Sequence, residues 1–177
     1  MSKLQPTSEE GTEGRVELLR EAATMTLYVS VVEIAELASL PERHYANGRV
    51  TGPVGIQLLA IVWGTAVGLA LAHWFAFRVA APAFRGEGPG GRDARIGLAQ
   101  LAGAVGVAAI SSLPVLLLSD LRAQETVGDV PAVVIGVIGY LVGRASGTSR
   151  VRSAVYGSTA LALGVGVALV KTALAAH

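Results

Sequence analysis

Three uncharged apolar stretches constrain this chain more than any other feature: Val54–Phe77 and Ile96–Ser119, each of 24 residues, and Ser153–Val170, of 18. A helix needs ~20 such residues to cross a hydrocarbon core of ~30 Å. Nearly every charge falls in the gaps between the runs. Without water to satisfy the backbone, only helices and closed barrels can span a bilayer. Barrel strands alternate over ~10 residues, whereas these runs are continuous and rich in Ala and Leu. The expected fold is therefore all-α, a polytopic integral membrane helix bundle.

Two weaker segments complete the count. Ala22–Leu40 is apolar but carries Glu33 and Glu36, and Val130–Gly143 has only 14 residues. With Val54–Val79, Ile96–Ser119 and Ser153–Val170 they give five transmembrane helices, the fourth short. Residues 1–15 are expected to be a flexible cytoplasmic tail and residues 16–177 a single transmembrane domain. Met1–Gly14 is polar and acidic, without the basic start, short apolar run and small-residue cleavage site of a secretory signal. Asn47-Gly48, Gly52-Pro53, the Gly86–Gly91 linker and the Gly128/Pro131 pair mark the breaks between helices.

Basic residues set the orientation, because cytoplasmic loops are enriched in Lys and Arg. Five spans place ten basic residues on one side (Lys3, Arg15, Arg20, Arg78, Arg85, Arg92, Arg95, Arg144, Arg150, Arg152) and four on the other (Arg43, Arg49, Arg122, Lys171). If the first segment lay on the surface the split would be seven to seven; if the fourth failed to cross, eight to six. The five-span arrangement is the most asymmetric, with the N-terminus cytoplasmic and the C-terminus outside. Ala, Gly and Val dominate, and 12 Arg stand against 2 Lys, a composition that suggests a GC-rich bacterial genome, so the expected location is the bacterial inner (plasma) membrane.

Lipid tails are as apolar as Leu, so membrane helices associate through small residues that let backbones approach. Gly64 and Gly68 (with Ala60 and Ala72) form such a stripe, as do Gly136, Gly139 and Gly143, and Gly164 with Ala160 and Ala168. These are the expected helix-packing positions, serving either the chain's own bundle, a homo-oligomer or a larger membrane partner.

The chemistry is concentrated in the first helix. Thr26, Ser30 and Glu33 fall on one face at ~100° per residue, with Glu36 on an adjoining face. An ionisable group inside a membrane helix turns toward the bundle or an aqueous cavity, so Glu33, Glu36, Ser30 and Thr26 are the ion-binding candidates. Two carboxylates three residues apart repel unless a proton or cation is held between them. The competing reading is that both approach the interface and pair with Arg43 or Arg122. A metal centre is not expected: Glu33-x-x-Glu36 is half of a carboxylate motif, no second half lies in any span, and only His44 could approach. His73, Trp74, Phe75, Phe77 and Arg78 read as an interfacial aromatic belt, with a proton relay at His73 the alternative. Ser111-Ser112-x-Pro114 should interrupt the third helix with a kink, a hydroxyl satisfying the freed carbonyl.

The chain has no Cys, so thiol catalysis, disulfides and thiolate metal sites are excluded. No phosphate-binding, dinucleotide-binding or zinc-helix motif is present, and no cofactor is expected. A net charge of +1 offers no nucleic-acid surface. The partner is the lipid bilayer. The expected function is non-enzymatic: a small cation- or proton-linked transporter or channel-like protein. The alternative is an accessory or scaffold subunit that docks a larger membrane partner through its Gly/Ala-rich faces.

Overall fold

The computed structural model describes residues 8–40, 45–46, 49–50, 52–85 and 91–175. Their order is α1 (Ser8–Leu37), β1 (Tyr45–Ala46), β2 (Arg49–Val50), α2 (Ile56–Arg85), α3 (Gly91–Leu117), α4 (Asp120–Thr126), α5 (Asp129–Ala145) and α6 (Arg150–Ala175). The two short strands pair antiparallel, Tyr45 opposite Val50; everything else of regular structure is helix. Three stretches are long and apolar enough to cross a membrane: Ile56–Ala76, Asp93–Leu117 and Asp120–Ala145. The last joins α4 to α5.

Successive long helices run in opposite directions. Trp74 lies against Gly97 and Trp63 against Ser112, so α2 and α3 are antiparallel. Gly143 abuts Ser153 and Gly164 abuts Ile135, so α5 and α6 are antiparallel too. α1 and α3 are parallel, Glu21 meeting Gln100 and Glu33 meeting Ser111. One end of the bundle therefore collects Arg15, Arg20, Arg78, Arg95, Arg144, Arg150 and Arg152. The opposite end collects Asp120, Arg122, Glu125 and Asp129.

α1 occupies the middle, packed against α2, α3, α5 and α6. Met25 and Val29 join Leu58, Val62 and Ala66 of α2, Ala104, Val107 and Ala108 of α3, and Val134 of α5 in the main core; Ile34 and Ala35 meet Ile135 in a second cluster. The outward faces remain apolar. Leu71 and Phe75 of α2, Leu116 and Leu117 of α3 and Leu163 and Leu174 of α6 are all exposed.

Several boundaries differ from the sequence expectation. α1 already begins at Ser8, so residues 8–15 are helical; Glu, Arg, Leu and Ala, which are good helix formers, dominate the stretch that follows. α3 begins at Gly91, and residues 86–90 of the glycine linker lie outside the described residues, as do Asn47-Gly48. Pro114 does not interrupt α3. Its missing N–H frees only the Ile110 carbonyl, and the helix runs on to Leu117, closing with Leu118 N–H on the Pro114 carbonyl at 2.9 Å. The short fourth segment gains α4, which the sequence did not reveal. Val127 and Gly128 between α4 and α5 remain in right-handed helical conformation. The break arises because Pro131 cannot donate to the Val127 carbonyl.

Glycine governs two places. Gly52 has φ 113°, and Gln124 of α4 reaches over it to donate to the Pro53 carbonyl at 3.2 Å, tying the entrance of α2 to α4. Gly147 has φ 74° in the turn into α6. There Thr148 donates to the Gly143 carbonyl at 2.7 Å, and Ser149 caps α6 by accepting from Arg152 N–H at 3.4 Å.

Small residues let the backbones of α5 and α6 approach closely. A Cβ added at Gly139 would lie 2.9 Å from Ala160 Cβ, one at Gly143 2.9 Å from Ser153 Cα, and one at Gly157 2.6 Å from the Gly136 carbonyl oxygen. Such approach is what small residues permit. Gly157→Ala should therefore lower the thermal midpoint in detergent, by an overpacking cost of ~1–3 kcal/mol. Gly106→Ala, which adds its Cβ into open space, should hold or raise the midpoint. An unchanged midpoint for Gly157→Ala contradicts the seam.

Candidate functional site

α1 presents its polar residues to two different neighbours. Glu33 is 1% exposed, and its Oε2 accepts from Ser111 Oγ of α3 at 2.8 Å. Among the described residues its Oε1 has no hydrogen-bond partner, nor has Ser30 Oγ, one turn back on the same helix and fully buried. Three oxygens thus belong to one buried locus at the α1–α3 interface, two of them unsatisfied. Buried polar atoms without partners are uncommon in folded proteins.

Glu36 turns the other way. It is half-buried and accepts the Thr65 hydroxyl of α2. The two carboxylates that the sequence sets three residues apart are thereby handed to different helices. Thr26 joins neither. Its hydroxyl donates to the Ala22 carbonyl at 2.9 Å, and it lies against Gly103, where a Cβ would come within 3.0 Å of it. Seven residues, or ~10 Å of helix, separate it from Glu33.

Among the described residues, ion pairing does not account for either carboxylate. Among the described residues neither Glu33 nor Glu36 forms a salt bridge, with Arg122 or with any other cation; Arg20 and Glu21, nearer the start of α1, do pair at 3.3 Å. Arg43 and His44 lie outside the described residues. No cluster of three His, Asp or Glu suitable for a metal ion occurs among the described residues.

Neighbouring groups hold α3 in place. Ser112 donates to the Ala108 carbonyl at 2.7 Å and accepts from Trp63 Nε1 at 3.0 Å. The serine pair thus ties α3 to both α1 and α2, and neither hydroxyl reaches the Ile110 carbonyl that Pro114 frees. Reading the sequence missed the partnership of Ser111 with Glu33 and of Thr65 with Glu36. The available signal was a hydroxyl residue isolated within an uncharged run, which has to find an acceptor. His73 is exposed beside Trp74, over whose ring the Arg78 guanidinium sits at 5.1 Å.

The glycine positions divide. Gly139 and Gly143 face α6, Gly164 meets Ile135 and Val31, and Gly136 offers its carbonyl to the approach of Gly157. At Gly64 and Gly68 a Cβ would meet nothing. Those two border an open groove between α1 and α2 of about 440 Å³, whose wall includes Glu36.

No family model, curated protein or solved structure matches this chain.

Removing the Ser111 hydroxyl strips Glu33 of its only hydrogen bond. Ser111→Ala should cost ~1–3 kcal/mol, the penalty for orphaning a buried acceptor, read as a lower thermal midpoint in detergent. Ser112→Ala should cost less, since it orphans the neutral N–H of a partly exposed Trp63 and not a buried carboxyl. The reverse order would contradict the assigned roles.

Proposed function

We propose that this chain is a five-span membrane protein that carries a proton or a small monovalent cation, with Glu33 as the group that takes it up. The carrying observation is the buried Glu33 carboxyl, held by one hydroxyl and, among the described residues, facing no cation and leaving Oε1 and Ser30 Oγ without partners. An isolated buried carboxylate is disfavoured by several kcal/mol unless something neutralises it. A proton, or a cation held by Glu33, Ser30 and Ser111, supplies that neutralisation.

The alternating helix directions support five passes, α1 and α6 completing the three stretches that are apolar enough to span by themselves. Glu33 and Glu36 exclude α1 from a lipid-facing position but not from a central one. The gathering of arginines at one end of the bundle supports placing that end, and the N-terminus, in the cytoplasm of a bacterial cell, with the C-terminus outside. A second reading, a non-catalytic subunit docking a larger membrane partner, is favoured by the open Gly64–Gly68 face of α2.

Proteoliposomes loaded with a pH- or cation-sensitive dye distinguish the two. The expected result is gradient-driven flux from the wild-type chain alone and at least a tenfold loss in Glu33→Gln, with Ser30→Ala intermediate. Flux that Glu33→Gln leaves unchanged contradicts the role of Glu33. No flux under any imposed gradient favours the subunit reading.

A further inference from the structure

The groove between α1 and α2 has a composition that the passage of a proton does not explain. Val32 and Glu36 of α1 form one side; Ala60, Gly64, Thr65 and Gly68 of α2 form the other, and the volume is about 440 Å³. The groove is shallow and open along its length, so an occupant would be held on one face only. The space exists because Gly64 and Gly68 carry no side chain; a Cβ at either would meet nothing within 4 Å.

We propose that this groove binds an amphiphilic organic cation, its charge on Glu36 and its apolar body along the α2 glycines. Charge complementarity identifies the occupant. Glu36 supplies the groove's one formal charge, Thr65 its one hydroxyl, and no cationic side chain lines it or pairs with Glu36 among the described residues. A metal ion is a poor match: Ca²⁺ takes 6–8 oxygen ligands, and one carboxylate with one hydroxyl falls far short. A cation with its charge spread over apolar groups needs only a single counter-charge and apolar walls. A helix from a second copy is also a poor match. Filling the groove with its apolar face would bury the Glu36 charge with one hydroxyl and no counter-charge, which is costly. An anionic ligand would meet like charge.

The site is separate from Glu33, on another face of α1 and against another helix. The inference adds a substrate class to the transport reading, while the binding step stands on Glu36 and the groove alone.

Titration calorimetry of the full-length chain in uncharged detergent, with tetraphenylphosphonium as the probe, tests it. The expected result is saturable one-to-one binding. Glu36→Gln should weaken it at least tenfold, whereas Glu36→Asp, which keeps the charge, should stay within about threefold. Gly68→Leu, which fills the groove without touching the charge, should also weaken binding at least tenfold and serves as the second variant if Glu36→Gln does not fold. Leu163→Ala, on the exposed face of α6, should bind as wild type. No binding by the wild type, or binding that survives both Glu36→Gln and Gly68→Leu, overturns the proposal. So does a stable dimer whose cross-links run through positions 64 and 68. Binding without proton or cation flux would leave the groove assignment standing and contradict only the transport reading.

Discussion

A carboxylate on a helix whose neighbours are all apolar can only turn toward whatever hydroxyls they offer, and that constraint organises this bundle. α1 is the helix with acidic residues amid its apolar run, and it is also the central one. Glu33 meets Ser111 of α3, Glu36 meets Thr65 of α2, and near the other end Glu21 accepts from Gln100 at 3.0 Å. The more uniformly apolar helices surround it and turn Leu, Val and Phe outward. A bundle whose most polar helix is its axis reverses the usual arrangement of a water-soluble one, and it is the arrangement that a solvent without hydrogen-bonding groups would favour.

Small residues do the complementary work, and they do it unequally. Along α5 and α6, Gly139, Gly143 and Gly157 bring two backbones together, and nothing larger fits. Along α2, Gly64 and Gly68 keep a space open. The same chemical feature therefore yields a closed seam in one place and a groove in another. What separates the two outcomes is the neighbour: α6 brings small residues of its own to face α5, whereas α1 brings Glu36 and Val32 to face α2.

The uncharged runs made the helices legible, because length and apolarity are local properties of the chain. The polar face of α1 was legible for the same reason, since Ser30 and Glu33 lie one turn apart. Which helix that face meets was not, because it depends on how α3 is rotated, and Ser111 had no marker beyond its place in an apolar run. The separation of Glu33 from Glu36 was hidden likewise: helical spacing puts them on adjoining faces, and only the packing of two different helices sends them apart. α4 escaped notice because its seven residues are polar and short, while the Asn47-Gly48 pair, a strong hairpin signal, was read only as a break before α2. Glycine spacing revealed where backbones can approach and not where they do.

The central claim is that Glu33 faces α3 from within the bundle. The chain has no native cysteine, so a Glu33→Cys, Ser111→Cys double variant reports this placement against a clean background. Oxidation in native membranes should join α1 to α3 within one chain, visible as two linked fragments after cleavage in the 86–90 segment, and Glu33→Cys paired with the exposed Leu113→Cys should give no link. A link to position 113 in place of 111 would contradict the placement, as would ready labelling of Glu33→Cys by a lipid-soluble maleimide.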